Sequence, residues 1–232
     1  MNAEPVTPPY LEELRALSTC VVASAIETFG VRLRNRGFSD SRLHCMFPEQ
    51  PAAVGYAATA RIRSSDPPME GHNYYERGAW WDSLLKIPAP RIVVIEDADS
   101  TPGLGAFIGE VHANILLALG CVAVVTNGSV RDLPEVRRSG LQLFAANVSV
   151  SHAYAHVFDF GGTVEIAGLT VHPGELIQGD LHGVQTIPRE IAARVPEKAR
   201  EIMKSRKDLI RLCGSHDFSI ANFIQKAKEL ES

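Results

Sequence analysis

Two short apolar runs constrain this chain more than any other feature. RIVVIED (91–97) and CVAVVT (121–126) are continuous, β-branched and too short for typical helices. A strand that is apolar on both faces is buried on both faces, as in a parallel sheet covered on each side. Between the two runs, GEVHANILLAL (109–119) repeats apolar residues at helical spacing, and Gly120 follows as a stop. Strand, helix, strand in that order is the crossover unit of an α/β fold.

The flanking segments fit around that unit. Residues 10–29 carry Leu11, Leu14, Leu17 and Val21 at helical spacing, with Ser18 and Thr19 placed to cap a fresh helix inside the stretch and Gly30 to end it. AAVGYAATARIRS (52–64) alternates and is rich in small residues, which suits a strand with close backbone neighbours. A polar loop is expected at 65–76, a turn at Asn127-Gly128, a short helix at 132–139 and a strand at 142–146. Antiparallel or mixed β structure is expected at 163–178 and 183–187, then a charged amphipathic helix at 188–212 and a last helix at 217–230.

Composition narrows the partners. The net charge of −4 lacks the basic excess of a nucleic-acid binder. No apolar run is long enough to span a bilayer, and Met1–Tyr10 shows no leader-like basic and apolar pair, so a cytoplasmic protein without membrane contact is expected. The four cysteines form no CxxC pair and read as reduced, mostly buried thiols.

The chemistry gathers at the ends of the crossover unit. A helix of this length carries the chain roughly 15 Å away from Glu110. The strand after Gly120 returns it by roughly 20 Å. Glu110 and the pair Arg131-Asp132 should therefore meet at one edge of the sheet, the edge where α/β folds bind ligands. Gly109 opens the helix, whose free amides and positive dipole end suit a carboxylate. Glu110 and Asp132 are hard oxygen donors of the kind Mg²⁺ accepts, and Arg131 is a planar fork for a carboxylate or enolate. Together these match a 2-oxo acid. The same residues also fit a plainer reading: Asp132 and Glu135 have capping-box spacing, and Glu110 complements its own helix dipole.

The motif Glu110, twenty intervening residues, Arg131-Asp132 resembles that of the RraA-like family, which includes the 4-hydroxy-4-methyl-2-oxoglutarate / 4-carboxy-4-hydroxy-2-oxoadipate aldolases. NGSVRD (127–132), PGELIQGDLHGVQTIP (173–188) and LSTCVVASAI (17–26) extend the resemblance over roughly residues 15–210. It implies an α/β/β sandwich of the swivelling phosphohistidine-domain type. Residues 1–188 would form the core, and 189–232 a helical extension packing on a neighbouring subunit of a homotrimer or homohexamer. It further implies Mg²⁺ or Mn²⁺ on Asp132, with Glu110 acting through water. Gly109, Glu110, Val111, His112 and Arg131 would hold the pyruvyl part of a small-molecule 2-oxo acid. The implied reaction is retro-aldol cleavage of a 4-hydroxy-2-oxo acid to pyruvate through an enolate, with oxaloacetate decarboxylation as a side activity. Some relatives instead bind a ribonuclease as regulators.

Departures from the family pattern are visible. The acid that aldolases take from a neighbour's C-terminal helix is replaced here by Arg206, leaving Asp208 and Glu201 as substitutes. Ser24 stands where an Asp is common, and His182 where an acid is usual. Of the remaining polar residues, His72, Tyr74 and Tyr75 are candidates for the far end of a pocket. His152 and His156 have i, i+4 spacing but read as surface histidines, Asp97 reads as a strand-end acid on the same edge as Glu110, and Lys86 as a turn residue rather than a Schiff-base lysine.

Overall fold

The computed structural model describes residues 8–68 and 77–231. The elements in order are α1 (Pro9–Arg15), α2 (Thr19–Thr28), β1 (His44–Cys45), β2 (Ala53–Arg63), α3 (Gly78–Leu85), β3 (Arg91–Asp97), β4 (Ala106–Ile108) and α4 (Glu110–Ala118). There follow β5 (Cys121–Val130), α5 (Leu133–Ser139), β6 (Gln142–Val148), β7 (His156–Phe160), β8 (Val164–Ile166), β9 (Leu169–Val171), β10 (Leu176–Asp180), β11 (Gly183–Ile187), α6 (Val195–Cys213) and α7 (Ile220–Glu231).

The fold is mixed α/β. The main sheet runs β1-β6-β5-β3-β2-β10-β11, with β4 beside β5 and β7 beside β2. β2, β3, β5 and β6 are mutually parallel, and β10 and β11 are antiparallel. One face is covered by α3, α4 and α5 through Trp80, Leu84, Ala113, Leu116 and Val136. The opposite face packs Ile92, Val94, Val125 and Phe144 against Val164, Ile166, Leu169 and Val171 of the β8–β9 hairpin. The sheet curls until its two flanks touch: the Phe144 ring on β6 lies where a β-carbon at Gly179 on β10 would stand, 2.6 Å away.

A third cluster seats α1, α2 and the first turns of α6 on Val54, Tyr56, Leu176 and Ile187. Buried polar groups fix this docking. Gln178 donates to the carbonyls of Leu14 and Leu17, and Asp180 accepts from the amide (2.9 Å) and hydroxyl (2.6 Å) of Thr19. Burial pushes the Asp180 carboxyl up, but the hydrogen bonds from Thr19 and His182 outweigh it and hold the group below its ordinary range.

Residues 10–29 form two helices, as the cap expected at Ser18 and Thr19 requires: Ser18 caps α2 by accepting from the Val21 amide at 3.4 Å. Other expectations are corrected. Asn127-Gly128 is not a turn but part of β5, whose pairing with β6 is irregular between Thr126 and Ser129. His152 and His156 share no helix, since β7 begins at His156. The charged helix starts at Val195 rather than 188, and its Val195, Pro196 and Ala199 are buried on its own chain. Cys121 is buried, but Cys20 and Cys213 are exposed. Among the described residues no helix is long and apolar enough to cross a membrane.

The contact between flanks generates a test. Gly179→Ala should destabilise the fold by about 1–3 kcal/mol, the usual cost of overpacking. Chemical denaturation of the single variant and of the Gly179→Ala/Phe144→Leu double variant measures it, and the smaller leucine side chain should recover most of the loss.

Candidate active site

The crossover unit delivers its two ends to one place, as the length arithmetic requires. β5 ends at Val130, and the Arg131 amide donates to the Ile108 carbonyl at 2.9 Å, tying the end of β5 to the end of β4. Asp132 follows in the left-handed region, at φ 54°, and directs its carboxylate back across the chain. Its Oδ2 accepts from the Glu110 amide (3.1 Å), the first of α4, and its Oδ1 from Arg131 Nε (3.1 Å). A carboxylate from the end of one strand thus caps the helix that precedes that strand.

This rules out the capping box at α5. Asp132 sits at the start of α5, yet its side chain makes no capping bond to that helix. The capping box with Glu135 is not formed, and Glu135 pairs with Arg138 at 2.9 Å. Leaving a residue other than glycine in the left-handed region costs roughly 1–2 kcal/mol. The backbone bears that strain while the carboxylate serves another helix. Gly109 is the enabling residue, because a β-carbon there would lie 2.5 Å from Asp132 Oδ2 and 3.1 Å from Arg131 Cγ.

The electrostatics follow. The Glu110 amide above all, with Arg131 and His152 in support, holds the Asp132 carboxyl below the ordinary carboxylate range, so it is ionised at neutral pH. Arg131 and Asp132 are both about one-third exposed, enough for a ligand to reach. The pair occupies one donor of the guanidinium fork. Glu110 and Val111 are exposed on the first turn of α4, where amides have no intrahelical acceptor. Mg²⁺ or Mn²⁺ held by one or two carboxylates and several waters suits this donor set. Among the described residues no group of three His, Cys, Asp or Glu could hold a metal, so the set does not suit a closed, all-protein zinc cage.

The His112 side chain is not at the site surface: it is buried, stacked on Phe107 with centroids 4.8 Å apart, and hydrogen-bonded to Arg77. Because arginine only donates, His112 Nε2 accepts and the ring is neutral. Burial, reinforced by Arg77 and His152, lowers its pKa to about 3. Asp97 stands at the end of β3. It is buried and holds the loop after β3 by accepting from the amides of Gly103 (2.8 Å) and Asp99 (3.2 Å). On α6, Asp208 pairs with Arg211, Glu201 with Lys198, and Arg206 donates to Ser24 Oγ at 2.8 Å. His182 contacts Asp180 at 3.1 Å, and Lys86 follows the end of α3, exposed. His72, Tyr74 and Tyr75 lie outside the described residues.

Sequence reasoning missed one neighbour of the site. His152 Nδ1 lies 2.7 Å from the Ala106 carbonyl on β4, within electrostatic reach of both Asp132 and His112.

The chain matches the family model described as RraA-like (Aldolase/RraA) over residues 19–185. A Halalkalibacterium halodurans protein provisionally named a 4-hydroxy-4-methyl-2-oxoglutarate aldolase is 22% identical over 179 residues, covering 77% of this chain and 80% of that protein. An uncharacterized crystal structure from Pseudomonas syringae pv. tomato str. DC3000 superposes with TM-score 0.72 at 20% identity, covering 99% and 97% of the two chains. Streptomyces coelicolor RraAS2, described as an unusual member of the RNase ES inhibitor RraA protein family, gives 0.68 at 19% identity over 88% and 97%. At these identities the structural matches speak for the fold.

Two tests follow. Asp132→Gly should be more stable than Asp132→Ala by about 1 kcal/mol, because only the latter keeps a side chain in the left-handed region; thermal or urea unfolding of the pair measures it. For His112 the folded pKa lies below the unfolded value of about 6.5, so the unfolded chain binds more protons between those values. Stability should therefore fall as pH drops from about 6.5 toward 3, by up to about 1.4 kcal/mol per unit. His112→Gln should flatten that part of the stability–pH curve.

Proposed function

The chain belongs to the RraA-like family, and from that premise we propose that it is a divalent-metal-dependent lyase cleaving a 4-hydroxy-2-oxo acid to pyruvate. The observation that carries this reading is the Asp132 carboxylate, ionised, strained and turned from its own helix toward the start of α4 beside Arg131. The name of the Halalkalibacterium relative supports the same reading.

In this assignment Asp132, with Glu110 through water, would hold Mg²⁺ or Mn²⁺, which supplies Lewis-acid polarisation of the 2-oxo acid. Arg131 binds the substrate's carboxylate or 2-oxo oxygen with its remaining donors and stabilises charge that grows there as C3–C4 breaks. The Val111 and His112 amides receive the other end of the pyruvyl group at the positive end of α4. Gly109 keeps that approach open. Losing CO₂ from oxaloacetate gives the same enolate, so decarboxylation is the expected side activity.

The site is expected to be completed by a second copy. Leu104, Val111 and Val150 are exposed near it at 58, 56 and 94%, and Ile210 and Ile220 on the C-terminal helices at 69 and 75%. Apolar surface of this kind usually marks an association surface. A homotrimer or homohexamer in which Asp208 of a neighbour approaches Asp132 joins the two surfaces, within the α/β/β sandwich of the swivelling phosphohistidine-domain type. A second reading, a ribonuclease-binding regulator, is favoured by one observation: Arg206, at the position expected to carry the acid, is bonded to Ser24.

Pyruvate release from oxaloacetate, with Mg²⁺ and with chelator, tests the proposal alongside light scattering for three or six copies. Asp132→Asn should lower kcat/KM by about 100-fold or more, the scale of losing one pre-organised charge-stabilising group. No release from the Mg²⁺-loaded oligomer would sink the lyase reading.

A further inference from the structure

The retro-aldol reading needs a group to take the proton from the substrate's C4 hydroxyl. Arg131 is a permanent cation, and Asp132 is occupied by the Glu110 amide and Arg131. The histidine that sequence reasoning left as a surface residue has the required construction.

The segment after β6 is tied to the site at successive positions. The Ser149 amide donates to the Val130 carbonyl at 3.1 Å, one residue before Arg131, and the Ser149 hydroxyl to the Leu104 carbonyl at 3.1 Å. The Ala106 amide donates to the Ser151 carbonyl at 2.8 Å. His152 follows, so close to β4 that a β-carbon at Gly105 would stand 2.3 Å from its carbonyl oxygen. Ala153 then adopts φ 45°, a left-handed conformation that alanine rarely takes. Strain of this sort persists only where surrounding bonds impose it, and it concentrates at functional positions.

The imidazole itself is oriented. The Ala106 carbonyl can only accept, so His152 Nδ1 carries the hydrogen of the 2.7 Å bond. Nε2 is then the lone-pair nitrogen of the neutral ring. The histidine is exposed and lies within electrostatic reach of Asp132. An exposed ring held in one tautomer by a backbone carbonyl, within electrostatic reach of a carboxylate, can serve as a general base.

We propose that His152 is the acid–base residue of this site, working through Nε2 on the hydroxyl at C4 of a 4-hydroxy-2-oxo acid. This rests on the lyase reading above. Nε2 takes the C4 hydroxyl proton, and the O–H pair becomes the second bond of the new C4 carbonyl. The C3–C4 pair moves into the C2–C3 bond as the C2 carbonyl π pair moves onto its oxygen, giving the pyruvate enolate. The imidazolium passes its proton to solvent and C3 takes one from water, so pyruvate and an oxo product leave and His152 ends as it began.

Oxaloacetate separates this role from a structural one, because its decarboxylation has no hydroxyl proton to remove. His152→Gln in the full-length protein with Mg²⁺ should lower kcat for cleavage of 4-hydroxy-4-methyl-2-oxoglutarate by about 10²–10⁴-fold, the usual contribution of a general base. KM should be little changed, oxaloacetate decarboxylation should stay within about tenfold, and added imidazole should restore part of the cleavage. Equal losses on both substrates, or no loss on either, would overturn the role of His152 while leaving the lyase reading standing. Wild-type protein inactive on both substrates would overturn both.

Discussion

The bond from the Glu110 amide to the Asp132 carboxylate is the constraint on which the site depends. It joins the first residue of a helix to the residue just beyond the strand that follows, and so closes the crossover unit at its open end. To make it, Asp132 adopts a strained backbone and gives up capping its own helix, and position 109 must be glycine. In return, a negative charge, a guanidinium and a helix end are fixed within one hydrogen-bonded group. Such pre-organisation is what a charge-stabilising site needs, because nothing has to reorient as charge develops.

Much of this was legible in the sequence because it rests on length and periodicity. A helix and a strand whose lengths cancel bring Glu110 and Asp132 together whatever the rest of the chain does. The buried runs at β3 and β5, and the glycine stop between them, are likewise local facts. What the sequence could not settle was the direction of one side chain. Asp132 followed by Glu135 has capping-box spacing, and only the path of the backbone through φ 54° turns the carboxylate elsewhere.

The misread segments share a physical cause. β4 has three residues and no periodicity, and is a strand only because β5 lies beside it. Asn127-Gly128 has strong turn chemistry, yet pairing on both sides of β5 carries the chain through it with an irregularity in register. His152 was undervalued for the same reason: its importance comes from bonds to β4, an element the sequence does not announce.

The position of β2 has a consequence for how the protein is made. One of its edges pairs with β3, soon after it in the chain, while the other is shared between β10 and β7, which come much later. Ribosomes add about 5–20 residues per second, so β2 waits roughly ten seconds between its own emergence and that of residues 156–180. Throughout that interval an apolar strand of small residues presents an open edge to any neighbouring strand, sister chains on the same message included. Slow translation downstream of residue 63 would lengthen that exposure.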